Sequence, residues 1–361
     1  MRVTSISLVN YRSYERLSFT PCDGITVLLG DNGQGKTNVL EAIYLTCTGR
    51  SHRTRQDREL VRWGSDFATV EVQTERRDGS HEVRIELSPS GRRRTKVYGR
   101  EISRSGELLG HVSGVLFSPE DLRTVKDGPL ERRRFVDMTL SQLKPAYYYA
   151  MQRYNRVLKQ RNELLRQASL EGLQTAVLDA WDEQMAQEGV SLIVQRRRYI
   201  DQLSTIAAQM HAEITESSER LRIRYAPSVD AETADIFLEK LTAGREGDLR
   251  RMTSLSGPHR DDVAVLVNDV DVRAYGSQGQ QRTAALSMRL AEMQVMKDAL
   301  GEWPVLMLDD AMSELDPGRR RRLLERLKGI QTLVTCTDAD DLSGAAPGAI
   351  YRVQQGKSSQ E

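Results

Sequence analysis

Gly30 to Thr37 read GDNGQGKT, and this octet constrains the fold more than any other feature of the chain. It fits G-x-x-x-x-G-K-[ST], follows the apolar run ITVLL and opens the helical pattern NVLEAIYL. A glycine turn before a helix can arise by accident, but a strand on one side and a helix on the other is the context the motif requires. Glycines let successive backbone N–H groups point inward around phosphate oxygens, and the helix N-terminus adds positive potential. Gly30, Asp31, Asn32, Gly33, Gln34, Gly35, Lys36 and Thr37 are therefore expected to bind a nucleotide. Lys36 supplies a cation to the phosphates and to catalysis, and the Thr37 hydroxyl is placed to bind Mg²⁺.

A second feature completes half a site. LMLDD, Leu306 to Asp310, ends an apolar strand in two acids. Paired carboxylates at the end of a buried strand are costly unless a cation or a reacting water sits there. An Asp-Asp at a strand end on its own is more often a loop start or a cap. Beside a phosphate loop, Asp309 reads as the metal-side acid and Asp310 as the catalytic acid that polarises the attacking water. Ser313 to Asp316, SELD, then precede Pro317; Asp316 is expected to belong to the nucleotide site and is also a good N-cap. A third stretch, GSQGQQR from Gly276 to Arg282, opens a helix marked by Leu286, Leu290, Met293 and Leu300. Ser277 alone would make a cap, with no need of Gly279 or the glutamines, so Ser277, Gln278, Gly279 and Gln280 are expected to carry a second phosphate-binding turn.

The rest of the pattern is that of an interrupted α/β domain. VTSISLVNY alternates as a strand, Pro21 to Gly24 turn the chain into ITVLLG, and FATVEVQTE and HEVRIELSPS read as antiparallel strands. From about Ala146 to Ser218 the spacing becomes helical, with a breaker near Gly172 predicting a helical hairpin whose apolar seam is broken by Arg161 and Glu188. Strand-like sequence returns at LRIRYAPSV and VAVLVNDVDV, and WPVLMLDD and TLVTCT read as buried strands flanking the basic helix RRRRLLERLKGI. The expectation is a P-loop head formed by residues 1–118 and 257–361, with 119–256 as a mainly helical insertion. QQGKSSQE at the end reads as a frayed tail.

Composition narrows the setting. Cys22, Cys47 and Cys336 are odd in number and have no C-x-x-C spacing, which points to reduced thiols in a cytoplasmic protein, with neither disulfides nor a zinc site. The alternating N-terminus is unlike a signal peptide, and no run is long enough to span a membrane. Net charge is only +1, yet arginines cluster at 92–94, 132–134, 196–198 and 319–322, so an anionic partner is not excluded. A charge run is as often a solvated face. The Tyr147 to Tyr149 run reads as packing and not as a stacking platform.

The order of phosphate loop, helical insertion, S-x-G-Q turn, paired acids and S-E-L-D resembles the ATPase heads of the ABC class. More narrowly it resembles the DNA-repair branch with SMC and Rad-type heads. LVNYRSY at Leu8 to Tyr14, FSPEDL at Phe117 to Leu122, ERRRFVD at Glu131 to Asp137, SGPHRDD at Ser256 to Asp262 and GSQGQQRT at Gly276 to Thr283 extend the resemblance to the bacterial RecF family over the whole length. The resemblance implies an ABC-type head with a mixed sheet and N-terminal antiparallel strands, carrying an inserted helical lobe. It implies ATP and Mg²⁺ as cofactors and a homodimer in which Ser277 to Gln280 of one copy meet the γ-phosphate held by the other. It also implies DNA, duplex or at single-strand gaps and junctions, partners of the RecR and RecO kind, a role as recombination mediator in gap repair, and no membrane. Gln278 and Asp310 stand where the wider class has Gly and Glu; Ser118 and Thr337 stand where it has a metal-sensing glutamine and a histidine. The shorter acid at Asp310 and the absence of a histidine at Thr337 imply slow hydrolysis, a timer more than a motor. Alternatives are a transporter-type ATPase subunit, disfavoured by LVNYRSY and the arginine-bearing lobe, and a small-molecule kinase, which would need no phosphate-binding turn from a second copy.

Overall fold

The computed structural model describes residues 1–171, 175–312, 315–338 and 347–360. The expected breaker at Gly172 and the motif residues Ser313 and Glu314 lie outside the described residues. In chain order the elements are β1 (Arg2–Tyr11), β2 (Tyr14–Phe19), β3 (Ile25–Leu29), α1 (Lys36–Thr48), β4 (Ala68–Arg76), β5 (Gly79–Leu87), β6 (Arg93–Val97), β7 (Arg100–Glu101) and β8 (Gly114–Phe117). The next are α2 (Leu122–Lys126), α3 (Pro129–Leu143), α4 (Pro145–Glu171), α5 (Asp179–Thr215), β9 (Leu221–Ala226), α6 (Ala234–Arg251), β10 (Asp262–Val267), β11 (Val270–Asp271) and α7 (Val272–Tyr275). The chain closes with α8 (Gln278–Leu300), β12 (Val305–Asp309), α9 (Pro317–Arg326), β13 (Thr332–Cys336), β14 (Ala349–Gln354) and β15 (Lys357–Gln360).

Contacts group Met1–Leu122, Ala208–Arg220 and Arg282–Glu361 into one compact unit, and Arg123–Ala207 with Leu221–Gln281 into another. This grouping departs from the sequence division at 118/119 and 256/257 in three places, the smallest being residues 119–122, which fall in the first unit. Residues 257–281 fall in the second unit because β10 pairs antiparallel with β9, Val265 opposite Ile223. Residues 208–220 fall in the first, where His211 Nδ1 lies 3.1 Å from Ser287 Oγ and Arg322 donates to the Ile214 carbonyl at 3.0 Å.

The first unit holds two six-stranded sheets. One is antiparallel, in the order β2-β1-β4-β5-β6-β7. The other runs β15-β14-β3-β13-β12-β8 and is parallel except for β15. Helix α1 contacts strands of both, and its Val39, Leu40, Ile43 and Leu45 share one buried cluster with Ile6, Leu8, Val70, Val72, Leu28 and Met307. Removal of that apolar surface from water is what fixes α1, and with it the phosphate loop, against both sheets. The expected frayed tail is instead the β14–β15 hairpin. Tyr351 and Val353, two residues apart, turn one face inward within a polar stretch, and Gln355 and Gly356 at φ 47° and 70° make the tight turn.

The second unit is mainly helical with the three-stranded sheet β11-β10-β9. Arg161, which breaks the apolar seam of α4, is wholly buried and donates to Asp182 at 2.5 Å and to Asp248 at 2.7 Å. Glu188 breaks the seam for a different reason: it pairs with Arg153 at 2.6 Å near the surface. Two of the arginines in the ERRRFVD stretch brace α3 to β10, Arg132 forking onto Asp262 and Arg133 donating to the Asp261 carbonyl at 2.5 Å. Tyr147 is buried and donates to Asp137, as packing requires.

His259 of the SGPHRDD stretch sets a pH dependence for this unit. Its Nδ1 accepts from the Tyr154 hydroxyl at 2.7 Å and its Nε2–H donates to the Ser254 carbonyl at 3.0 Å, an arrangement only the neutral ring can make. Burial, with Arg260 and Arg133 nearby, pushes the imidazole down to about 4 against an ordinary 6.5. A depressed histidine contributes stability above its unfolded value and loses it as pH falls toward the folded one. Urea unfolding of the chain should therefore show about 3 kcal/mol less stability at pH 4 than at pH 7 from this group alone. His259→Asn, which can still accept from Tyr154 and donate to Ser254, should lack that increment; an unchanged pH profile would contradict the assignment.

Candidate nucleotide site

The phosphate loop leaves β3 at Gly30, whose N–H donates to the Cys336 carbonyl at 3.3 Å, and enters α1 through Gly35 at φ 114°. Lys36 is 4% exposed and its Nζ donates to the carbonyls of Gly30 at 2.6 Å and Asp31 at 3.1 Å. Asp31, Asn32 and Gly33 are exposed, with Gly33 at φ 81°. The ammonium thus sits under a loop whose outer residues face solvent, at the N-terminus of a buried helix.

Strand β12 lies beside β13 in parallel register, Asp309 opposite Thr335. Thr37 Oγ1 donates to Asp309 Oδ1 at 2.9 Å, and Thr335 Oγ1 donates to the same oxygen at 2.7 Å. Two residues 272 positions apart in sequence are brought into one oxygen cluster. Burial pushes the Asp309 carboxyl above its ordinary value, the two hydroxyls only partly oppose this, and the neighbouring Asp310 charge pushes the same way. Asp310 follows at φ 47°, its N–H donating to Thr335 Oγ1 at 2.9 Å. Thr335 therefore fixes both acids, accepting from one main chain and donating to the other side chain. The sequence reading did not find it, since a threonine inside a buried strand reads as a β-branched filler.

A buried carboxylate whose oxygen meets only hydroxyls suits a hard divalent cation. Thr37 and Asp309 are the residues that would hold Mg²⁺. Among the described residues no three of His, Cys, Asp and Glu converge on a point, so the remaining ligands would be phosphate oxygens and water.

Other supports of the loop were equally invisible. Tyr14 donates to the Gly35 carbonyl at 3.1 Å, and Asn38 Nδ2 to Ser13 Oγ at 3.0 Å. Glu41, buried one turn further along α1, receives both arms of the Arg12 fork at 2.7 and 2.9 Å and the Ser51 hydroxyl at 2.5 Å. Burial alone would raise this carboxyl; the fork and the hydroxyl outweigh it and hold it below its ordinary value. The C-terminal hairpin closes the other side. Gln34 Oε1 accepts from the Gln355 N–H at 2.7 Å and the Gln34 carbonyl from Gly356 at 3.3 Å. A side chain at Gly356 would lie 2.3 Å from the Ser13 carbonyl oxygen, and one at Gly30 2.3 Å from that of Val353.

The remaining expected residues are placed as follows. Asp316 is exposed and caps α9 through Arg319 N at 3.0 Å, behind Pro317 at the first helical position. Ser118 follows β8 and forms a capping box with Asp121. Thr337 is exposed directly after β13. In the second unit Ser277 accepts from Gln280 N at 3.2 Å while Gln280 Oε1 accepts from Ser277 N at 2.9 Å, a reciprocal capping box at the start of α8. Gln281 Nε2 holds the Val272 carbonyl at 3.1 Å. Capping thus uses more of this turn than Ser277 alone, and two glutamines have structural partners. Ser277, Gln278 and Gly279 remain exposed.

A family model described as RecF/RecN/SMC N terminal domain matches residues 2–360. Over 361 residues, 99% of each protein, the chain is 40% identical to the DNA replication and repair protein RecF of Clostridium perfringens. The chain belongs to the RecF family. The RecF of Geobacillus thermodenitrificans is 41% identical over 367 residues, 99% of this chain and 98% of that one. A solved structure of the recombination mediator protein RecF with ATP, in the RecFOR pathway, superposes with a TM-score of 0.93 at 33% identity, covering 100% of this chain and 97% of that one. An Smc head domain from Pyrococcus furiosus shares the fold, with a TM-score of 0.60 at 17% identity, covering 100% of this chain and 96% of that one. This RecF-family chain thus has the ABC-type head fold, and among its described residues no helix is long and apolar enough to cross a membrane.

Proposed function

We propose that the chain is an ATP-gated DNA-binding protein that acts as a recombination mediator at single-strand gaps. Two copies pair head to head over two ATP molecules, and slow hydrolysis releases the pair and the DNA. The observation that carries this reading is the 2.9 Å contact between Thr37 and Asp309, which joins the phosphate loop to the acidic strand. Membership of a family with an ATP-bound solved relative supports it. The kinase and transporter alternatives have no comparable support.

In this reading Gly30 to Thr37 surround the phosphates, and Lys36 moves from the loop carbonyls to the β- and γ-phosphate oxygens. Mg²⁺ would neutralise developing charge on the phosphates. Asp310, aimed by Thr335, orients the attacking water. Ser277 to Gly279, exposed at a helix N-terminus, face the γ-phosphate of the other copy, and Asp316 is a further residue of the nucleotide site. The unit that carries the phosphate loop acts as the head and the mainly helical unit as the inserted lobe. Partners of the RecR and RecO kind, and duplex or gapped DNA, complete the cycle in a cytoplasmic setting.

Asp310→Asn should bind ATP normally yet stay paired, because the amide keeps the side-chain shape and loses the charge. Retention of labelled gapped duplex should outlast that of wild type after an ATP chase; release at the wild-type rate would remove Asp310 from hydrolysis. DNA binding should also weaken steeply with salt, and a flat dependence would argue against phosphate contacts. Gly356→Val drives a side chain into the Ser13 carbonyl and should weaken binding of a fluorescent ATP analogue about tenfold, or about 1.4 kcal/mol. Unchanged affinity would show that the hairpin does not position the loop.

A further inference from the structure

The loop from Gly49 to Phe67 carries arginines of two kinds. Arg53 turns toward the nucleotide side, donating to Asn38 Oδ1 at 3.1 Å and lying 3.9 Å from Glu41. Arg55 and Arg58 are exposed, and among the described residues neither has an ion pair. Of the three acids in the stretch, Asp57 pairs with Arg93 at 3.2 Å, Glu59 accepts from the Thr54 hydroxyl at 2.5 Å, and Asp66 is exposed. With Arg50, Arg53, Arg55, Arg58 and Arg62 against those three acids, the loop carries net positive charge.

At its end stands Trp63, 98% exposed, with Phe67 51% exposed beside it in sequence. The other two tryptophans are half-buried, Trp303 with Lys297 4.5 Å from its ring. Tryptophan is highly buried on average, so an indole left almost wholly in water is unusual. Its backbone is well held. Arg12 N donates to the Leu60 carbonyl at 2.9 Å, Arg62 N to the Asn10 carbonyl at 2.8 Å and Ser65 N to the Arg62 carbonyl at 3.0 Å, so a hydrogen-bonded turn holds the main chain around Trp63 beside β1.

We propose that Trp63 is a stacking platform for an unpaired base of single-stranded DNA, with Arg55 and Arg58 on phosphates of the same strand. The proposal rests on the DNA-binding reading above and names the part of a gapped substrate that this loop takes. From Arg58 to Trp63 the chain spans at most about 17 Å, a reach of a few nucleotides. A flat π-face with cations at that reach is the combination that binds single strands without regard to sequence. A duplex keeps its bases stacked inside and offers the indole no face. An apolar protein partner would fit less well, because apart from Phe67 the residues on either side of the ring, Arg62, Gly64, Ser65 and Asp66, are charged or small.

The test uses the full chain, with oligothymidylate and a blunt duplex as probes. Wild type should show quenched tryptophan emission on binding oligothymidylate. Trp63→Ala should bind it about 5- to 100-fold more weakly, with duplex affinity unchanged and most of the loss recovered in Trp63→Tyr. Arg58→Ala should lower the salt slope for the single strand by about 0.7. Wild-type affinity of Trp63→Ala for oligothymidylate, with duplex binding intact, would overturn this proposal alone. Failure of wild type to bind either DNA would overturn it together with the DNA-binding reading.

Discussion

Lys36→Met is expected to abolish ATP binding, a loss of more than about a hundredfold in affinity. Lys36 is almost fully buried and its ammonium is held by two loop carbonyls within reach of the phosphate cradle. Methionine keeps the apolar stem and removes the charge, so the helix start and the surrounding core are retained while the phosphates lose their cation. Truncating one partner of a desolvated charge pair costs about 2–5 kcal/mol, enough for this loss. Equilibrium binding of a fluorescent ATP analogue, with circular dichroism to confirm folding, reads the effect directly. Affinity within about threefold of wild type would mean that Lys36 serves the loop and not the ligand.

The second large effect is of another kind. Ser277→Arg should leave ATP affinity unchanged and prevent pairing, because Ser277 is exposed in the compact unit that does not contain the phosphate loop. The substitution also removes the N-cap of α8, worth about 0.5–2 kcal/mol. Ser277→Ala separates the two effects: it loses the same cap but introduces no bulk. If Ser277→Ala pairs with ATP and Ser277→Arg does not, the surface of the turn is what matters. Equal loss in both would assign the defect to the helix start.

How much of this was legible in the sequence depends on the range of the interactions. The phosphate loop was legible because its signal is local: glycines, Lys36 and Thr37 sit within eight residues of a strand and a helix. Asp309 was legible because an apolar run ending in acids is unusual. Thr335 was not, because its importance lies in a register, opposite Asp309 on a neighbouring parallel strand, that no sequence window contains. The Arg12–Glu41–Ser51 cluster was missed for the same reason. QQGKSSQE looked like a tail because its polar composition hides what happens just before it, where Tyr351 and Val353 anchor β14 beside β3. The arginine run at 319–322 looked like a basic face, yet Arg319, Arg320 and Arg322 bond to Thr283 Oγ1, the Leu315 carbonyl and the Ile214 carbonyl. Charge runs reveal the presence of guanidinium groups and not where they end. The GSQGQQR turn shows both limits at once: its capping box is local and was underestimated, whereas the ligand proposed for its exposed face belongs to another copy of the chain.

Whether the exposed face of this turn meets ATP on a second copy is decided by sedimentation velocity. With saturating ATP and Mg²⁺, wild type and Asp310→Asn should sediment as dimers and Ser277→Arg as a monomer, while all three should be monomers without nucleotide. A wild-type chain that binds ATP and still sediments as a monomer would rule out the ATP-sandwiched pair.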